Sequence, residues 1–112
     1  DPSTVARLTT NWHYANMTVR HKTYNLTSTP TFLDICVDAG KDRRGMTIVF
    51  NTDKSSNDTT MIGDSTVTAT DFGLHLDADV SFVMAGNFTQ DDKFYARAKT
   101  TTAILHVMVI GA

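Results

Sequence analysis

Hydrophobic and polar residues alternate along this chain in short runs that are separated by turn-forming residues. The alternation is clearest from Val80 to Met84, where Val80, Phe82 and Met84 fall on one face. A period of two predicts half-buried β-strands, because successive side chains of a strand point to opposite faces. Further strands are predicted at Phe32 to Val37, Met46 to Phe50, Ser65 to Ala69, Gly73 to Leu76 and Phe94 to Lys99.

The last run, Ala103 to Ile110, is largely apolar on both faces. A strand with two apolar faces is covered on both sides, so we expect it either at the centre of a sandwich or in a subunit contact. With Gly111 and Ala112 the run is still too short to span a bilayer, which requires about 20 apolar residues. We therefore expect no membrane partner.

The N-terminal third is more polar. Trp12 to Val19 reads as a strand whose two faces both mix apolar and polar residues, and Lys22 to Thr27 is predicted to be its hairpin partner. A strand of this kind is typical of a segment covered on both sides, so a neighbouring subunit is a candidate cover. We take residues 1–30 as a candidate extended docking segment.

Composition strengthens the β assignment. All 12 acidic residues are aspartate, the chain has no glutamate, and threonine makes up about a sixth of it. Threonine favours strands and aspartate favours turns, whereas the missing glutamate is a good helix former. About eight short strands in 112 residues predict one domain, residues 1–112, with an all-β, antiparallel β-sandwich or jelly-roll-like fold.

The net charge and the cysteine content limit the classes of partner and the bonds that stabilise the fold. The net charge of −2 and the pI near 6.0 argue against a nucleic-acid partner, which requires a concentrated basic face. The only cysteine, Cys36, lies in an apolar run, which predicts a buried thiol. Stability is therefore not expected to depend on an internal disulfide.

Candidate chemistry is sparse. The four histidines, His13, His21, His75 and His106, have no zinc-like spacing, and the aspartates follow no ordered calcium-binding pattern. No serine lies in a Gly-x-Ser-x-Gly turn and no glycine-rich phosphate loop occurs. We expect no catalytic residue, metal or cofactor and no enzymatic activity; a hydrolase that uses Asp77 and Asp79 ranks last.

The order of features from residue 43 onward resembles a known family. Arg-Arg-Gly-Met-Thr-Ile-Val-Phe-Asn (43–51) is followed by Met-Ile-Gly-Asp (61–64) and by Val-Thr-Ala-Thr-Asp-Phe-Gly-Leu-His-Leu-Asp-Ala-Asp-Val-Ser-Phe (67–82). The chain then closes on Phe-Tyr-Ala-Arg-Ala (94–98) and Ala-Ile-Leu-His-Val-Met-Val-Ile-Gly (103–111). This pattern resembles small β-sandwich proteins of tailed-bacteriophage virions, such as capsid decoration proteins, head fibres and tail modules.

The resemblance implies a non-enzymatic virion protein, most simply a capsid decoration or cement protein that stabilises the shell. Its implied partners are copies of itself, as a homotrimer, and the major capsid protein or another virion protein. The implied location is the virion, assembled in the host cytoplasm. The residues expected at the capsid or subunit interface are Trp12, Tyr14, Met17, Val19, Leu105, Val107 and Val109.

One alternative belongs to a different class of function. Trp12, Tyr14 and Tyr24 lie close together in the sequence, and an aromatic platform beside polar side chains is a common way to hold sugar. The chain would then be a receptor- or carbohydrate-binding module at a tail or fibre tip. Aromatic residues suit a subunit contact equally well, so this alternative stays open.

Overall fold

The structure, a computed structural model, describes residues 18–37, 43–89 and 91–111. These residues form eight strands and one short 3-10 helix over Asp34–Cys36. The strands are β1 (Thr18–Leu26), β2 (Thr31–Phe32), β3 (Arg43–Thr52), β4 (Thr60–Gly63), β5 (Leu74–Leu76), β6 (Ser81–Phe88), β7 (Tyr95–Ala98) and β8 (Ala103–Gly111). No helix among the described residues is long and apolar enough to cross a membrane.

The strands pair into two four-stranded sheets. Sheet one has the spatial order β1-β8-β3-β6, and sheet two has the order β2-β7-β4-β5. Every pairing is antiparallel. Consecutive strands along the chain mostly alternate between the sheets, which is the arrangement of an eight-stranded jelly roll. The predicted all-β, antiparallel sandwich is confirmed.

The core lies between the two sheets. Strand β8 supplies every second residue to it, from Ala103 to Val109, and β3 supplies Met46, Ile48 and Phe50. Sheet two closes the core with Ile62 and with small alanines on β7 that let the sheets approach. The prediction of β8 as a central strand is confirmed, since β1 and β3 flank it.

The run from Phe32 to Val37 is not the predicted strand. Strand β2 ends at Phe32, and the chain turns into the 3-10 helix. The Asp34 carboxylate accepts hydrogen bonds from the Tyr24 hydroxyl, at 2.5 Å, and from the Lys22 ammonium, at 3.1 Å. Because these contacts come from another strand, they hold a turn where the local pattern alone allows a strand.

Two other segments also differ from the prediction. Residues 18–26 are one continuous strand paired with β8, so Lys22 to Thr27 is not a separate strand folded back onto residues 18–21; residues 12–17 of the predicted hairpin lie outside the described residues. Ser65 to Ala69 is a turn, because the Asp64 side chain accepts hydrogen bonds from the backbone N–H and the hydroxyl of Thr66. An aspartate that bonds to the backbone two residues later competes with strand geometry.

Candidate assembly surface

Strand β6 is the most exposed strand of the sandwich. It pairs with β3 on one side, and no other strand of the described residues pairs with its second side. Val83 is 57% exposed and Phe82 is 38% exposed, although both are large apolar residues. A long edge strand with apolar side chains is a template for pairing with another strand.

A groove opens between β6 and the facing edge of sheet two. Its volume is about 530 Å³, and its apolar floor is formed by Ile62, Leu74, Phe82, Met84 and Phe94. Ile62 belongs to the core, Leu74, Met84 and Phe94 are partly buried against it, and Phe82 is exposed. We call this feature the edge groove.

The rim of the edge groove carries mostly negative charge. Asp64, Asp91 and Asp92 line it, together with a single cation, Lys93. Asp64 accepts hydrogen bonds from Thr66, which lower the pKa of its carboxyl, so it is charged at neutral pH. An occupant that carries a basic side chain suits this rim better than an acidic one.

The outer face of sheet one, turned away from the core, carries two cross-strand rows in which six of the eight side chains are apolar. One row is His21, Met108, Val49 and Val83; the other is Val19, Ile110, Thr47 and Ala85. Residues directly opposite each other in a sheet have neighbouring side chains, so these rows form a continuous patch. We call this patch the outer face. Exposed apolar patches of this kind mark interaction sites.

The other edge of sheet one is β1, which exposes an apolar residue on the outer face and carries a partly buried cation on the inner side. Val19 is 64% exposed on the outer face. Arg20 points to the opposite side, and its Nε is buried without a hydrogen-bond partner among the described residues. An unpaired guanidinium nitrogen is costly unless a carboxylate reaches it.

The predicted interface residues fall into three groups. Val19 lies on the surface, at the edge of sheet one. Leu105, Val107 and Val109 are at most 2% exposed and pack in the core of one chain, so a partner has no access to them. The face of β8 that is turned away from the core carries Met108 and Ile110 instead. Trp12, Tyr14 and Met17 lie outside the described residues.

The alternative sugar site loses one of its three aromatic residues. Tyr24 is only 6% exposed, and its hydroxyl bonds to Asp34. Burial and this hydrogen bond raise the pKa of Tyr24, while the bonds from Tyr24 and Lys22 lower the pKa of Asp34. Tyr24 therefore anchors the 3-10 helix under β1 and offers no ring face to a sugar.

A hydrogen-bonded chain of side chains crosses the polar end of the same sheet. His106 contacts the Thr23 hydroxyl through Nδ1 at 2.8 Å and the Asp53 carboxylate through Nε2 at 2.9 Å. Bonds from Ser55 and His106 lower the pKa of Asp53. The order hydroxyl, imidazole, carboxylate is that of a hydrolase triad. Thr23 and His106, however, lie directly opposite each other on paired strands. The backbone N–H groups of these strands bond within the sheet, so they do not form an oxyanion hole. The three side chains therefore link neighbouring strands.

A metal site does not emerge from the described part of the chain. No group of three or more His, Cys, Asp or Glu residues there lies close enough to hold a metal ion. His75 packs edge-on against Phe72 at 5.4 Å between ring centroids, and His13 lies outside the described residues. The contacts of His75 and His106 are therefore structural.

Cys36 is the free thiol of the chain and is 2% exposed in the core. Burial raises the pKa of the thiol to about 12, against a small opposing effect of Arg20. Since the thiolate is the reactive form, this cysteine is inert in the folded protein. The prediction of a buried thiol is confirmed.

Sequence reasoning missed the residues that dominate this surface, Val83 and Met108. Each occupies an outward position in a strand whose inward positions are also apolar. Apolar residues at outward positions indicate a strand that is covered on both faces. From the sequence, this criterion was applied to β8 but not to β6. The edge position of β6 depends on strand order, which local patterning does not encode.

Comparisons with known proteins bear on the fold. No protein-family model and no curated protein matches the chain. Among solved structures, the chain is similar to a protein of the Bacillus endospore appendages, described as a novel family of disulfide-linked pili. The TM-score is 0.53 at 11% sequence identity, and the match covers 86% of each chain. At this identity the likeness shows a shared β-sandwich fold.

Proposed function

We propose that this chain is a non-enzymatic structural protein that works by docking, with copies of itself and with a larger protein shell. The observation that carries the proposal is the exposure of β6, whose apolar side chains and unpaired backbone edge have no cover among the described residues. Burying apolar surface stabilises an assembly by about 25 cal/mol per Å². A free sheet edge of this kind is also an aggregation hazard unless a specific partner covers it.

The setting that the sequence resemblance suggests is a tailed-phage virion. In that setting the chain decorates the capsid, and the outer face or the candidate docking segment meets the major capsid protein. Two features support a docking role over catalysis. The edge groove lies where a sheet ends, and the hydrogen bonds among Thr23, His106 and Asp53 link paired strands.

Assembly of this chain is proposed to be non-covalent. The sandwich of similar fold from Bacillus endospore appendages belongs to disulfide-linked pili, so a jelly roll of this kind is compatible with a fibrous assembly. The single thiol here is buried and protonated, which leaves it unavailable for a bond between copies. Apolar and charged surfaces must then supply the contacts.

Light scattering on the purified full chain over a range of concentrations tests the proposal. We expect the molar mass to rise above that of one chain, and Val83→Lys to lower it again. Thr70→Lys adds the same charge at an exposed turn and is expected to leave the mass unchanged. A monomer at every concentration that also fails to co-sediment with phage capsids would overturn the proposal.

A further inference from the structure

We propose that the edge of β6, which no strand of the described residues covers, pairs with the edge of β1, likewise uncovered among those residues, from a second copy of the chain, antiparallel and within one continuous sheet. This inference rests on the proposed function, since it names the surface through which copies dock. The two edges lie at opposite sides of sheet one, so the contact is head to tail and leaves a free β1 and a free β6 at the ends of every assembly.

Strand direction supports this pairing. Each neighbouring pair in sheet one is antiparallel, so across four strands β1 and β6 run in opposite directions. A second copy displaced sideways along the sheet therefore places its β1 antiparallel to β6, in the same ladder pattern as the strands inside the sheet. No reversal of the second copy is required.

Side-chain positions support the same pairing. When the outer faces of two copies are continuous, Val19 of the second copy lies on the side of the sheet that carries Val83 and Ala85. These valines are the most exposed large apolar residues at the two edges. Pairing buries both of them against each other's strand.

Charge decides between pairing of unlike edges and pairing of like edges. Arg20 is a cation on the inner side of β1, and on the inner side of β6 the rim of the edge groove carries Asp64, Asp91 and Asp92. Pairing β6 with β6 instead brings two acidic rims together, and pairing β1 with β1 brings two arginines together.

Sheet twist gives the assembly its expected shape. Four strands advance the sheet by about 19 Å, and a twist of about 20–25° per strand turns each copy by roughly 80–100° relative to the previous one. This combination is a screw operation, which produces a helical filament. The trimer expected from the sequence requires the same edges to close into a ring.

Cross-linking of single-cysteine variants tests the pairing. In a Cys36→Ala background, Val83→Cys and a tagged Val19→Cys chain are mixed and treated with a short bismaleimide, while light scattering follows assembly. Both sites are exposed, so the fold tolerates the changes. Thr70→Cys replaces either partner as the control. We expect the mixed Val83→Cys–Val19→Cys product to exceed each same-variant product at least tenfold.

The other outcomes are distinct. A dominant product between two Val83→Cys chains overturns the head-to-tail pairing and keeps the proposed function. Assembly by light scattering with cross-linking at the level of the Thr70→Cys control does the same. No assembly and no cross-linking overturns both proposals together.

Discussion

Val83 lies directly opposite Val49 in the register of β6 and β3, yet Val83 is 57% exposed whereas Val49 is half-buried. The difference has one cause. Val49 has a strand on each side, β8 and β6, whereas Val83 has a strand on one side only within residues 18–37, 43–89 and 91–111. Because Val83 lacks a neighbouring strand on one side, we infer that a partner covers this edge of the sheet.

The two faces of β8 are expected to differ sharply in their contribution to stability. Leu105→Ala removes a fully buried side chain from the core and should lower the free energy of unfolding by about 2–5 kcal/mol. Met108→Ala, three residues along on the outer face, should cost less than about 1 kcal/mol. Urea denaturation of the two variants measures both values. Equal losses would contradict the placement of the core.

Asp58 is expected to fasten the turn between β7 and β8. Its carboxylate accepts hydrogen bonds from the backbone N–H groups of Thr100 and Thr101 and from the Thr100 hydroxyl. Asp58→Asn should lower the free energy of unfolding by about 1–3 kcal/mol near neutral pH, since the amide accepts fewer of these bonds. Thr100→Val removes only the hydroxyl bond, so its loss in the same urea measurement should be smaller.

The same residue gives a pH dependence. Burial raises the pKa of Asp58, but the bonds from Thr101, Thr100 and Thr59 outweigh that effect and hold the pKa at about 2. In the unfolded chain the pKa of an aspartate is about 3.9. A lowered pKa stabilises the fold above the unfolded value, and the contribution is lost as the pH falls toward 2. The stability gap between wild type and Asp58→Asn should therefore shrink from pH 5 to pH 2; a constant gap would rule out this role.

The Cys36 thiol is expected not to react with thiol reagents until the protein unfolds. Because burial raises the pKa of its thiol to about 12, a thiol reagent at neutral pH should modify it only through unfolding. The labelling rate should rise with urea in step with global unfolding, and reducing agent should leave the molar mass of the assembly unchanged. Rapid labelling of the native protein, or dissociation on reduction, would contradict the non-covalent contacts proposed above.

Local pattern was sufficient for some of the fold. The two apolar faces of Ala103 to Ile110 predicted a covered strand, and β8 lies between β1 and β3; the strand predicted over Phe94 to Lys99 is present as β7, between β2 and β4. In both cases a strand lies on each side, so the pattern of apolar side chains along the strand follows their burial. The absence of glutamate and the abundance of threonine pointed to the same fold class.

Contacts between distant residues set the limit of such reasoning. The turn at Asp34 depends on Tyr24 and Lys22, which belong to β1, and no pattern within Phe32 to Val37 reveals them. The exposure of Val83 depends on β6 being the last strand of its sheet. Strand order is a property of the whole topology, which is why the surface proposed for assembly became visible only in the structure.

Hydrogen–deuterium exchange of the β6 amides tests the central claim most directly. In a dilute, dissociated sample, the amides of Ser81–Phe88 that face the free edge should exchange quickly, because no strand of the described residues bonds to them. At concentrations where the molar mass shows assembly, we expect these amides to become protected while the exposed turn around Thr70 stays unchanged. Rapid exchange throughout β6 in a fully assembled sample would contradict the claim that this edge is where copies meet.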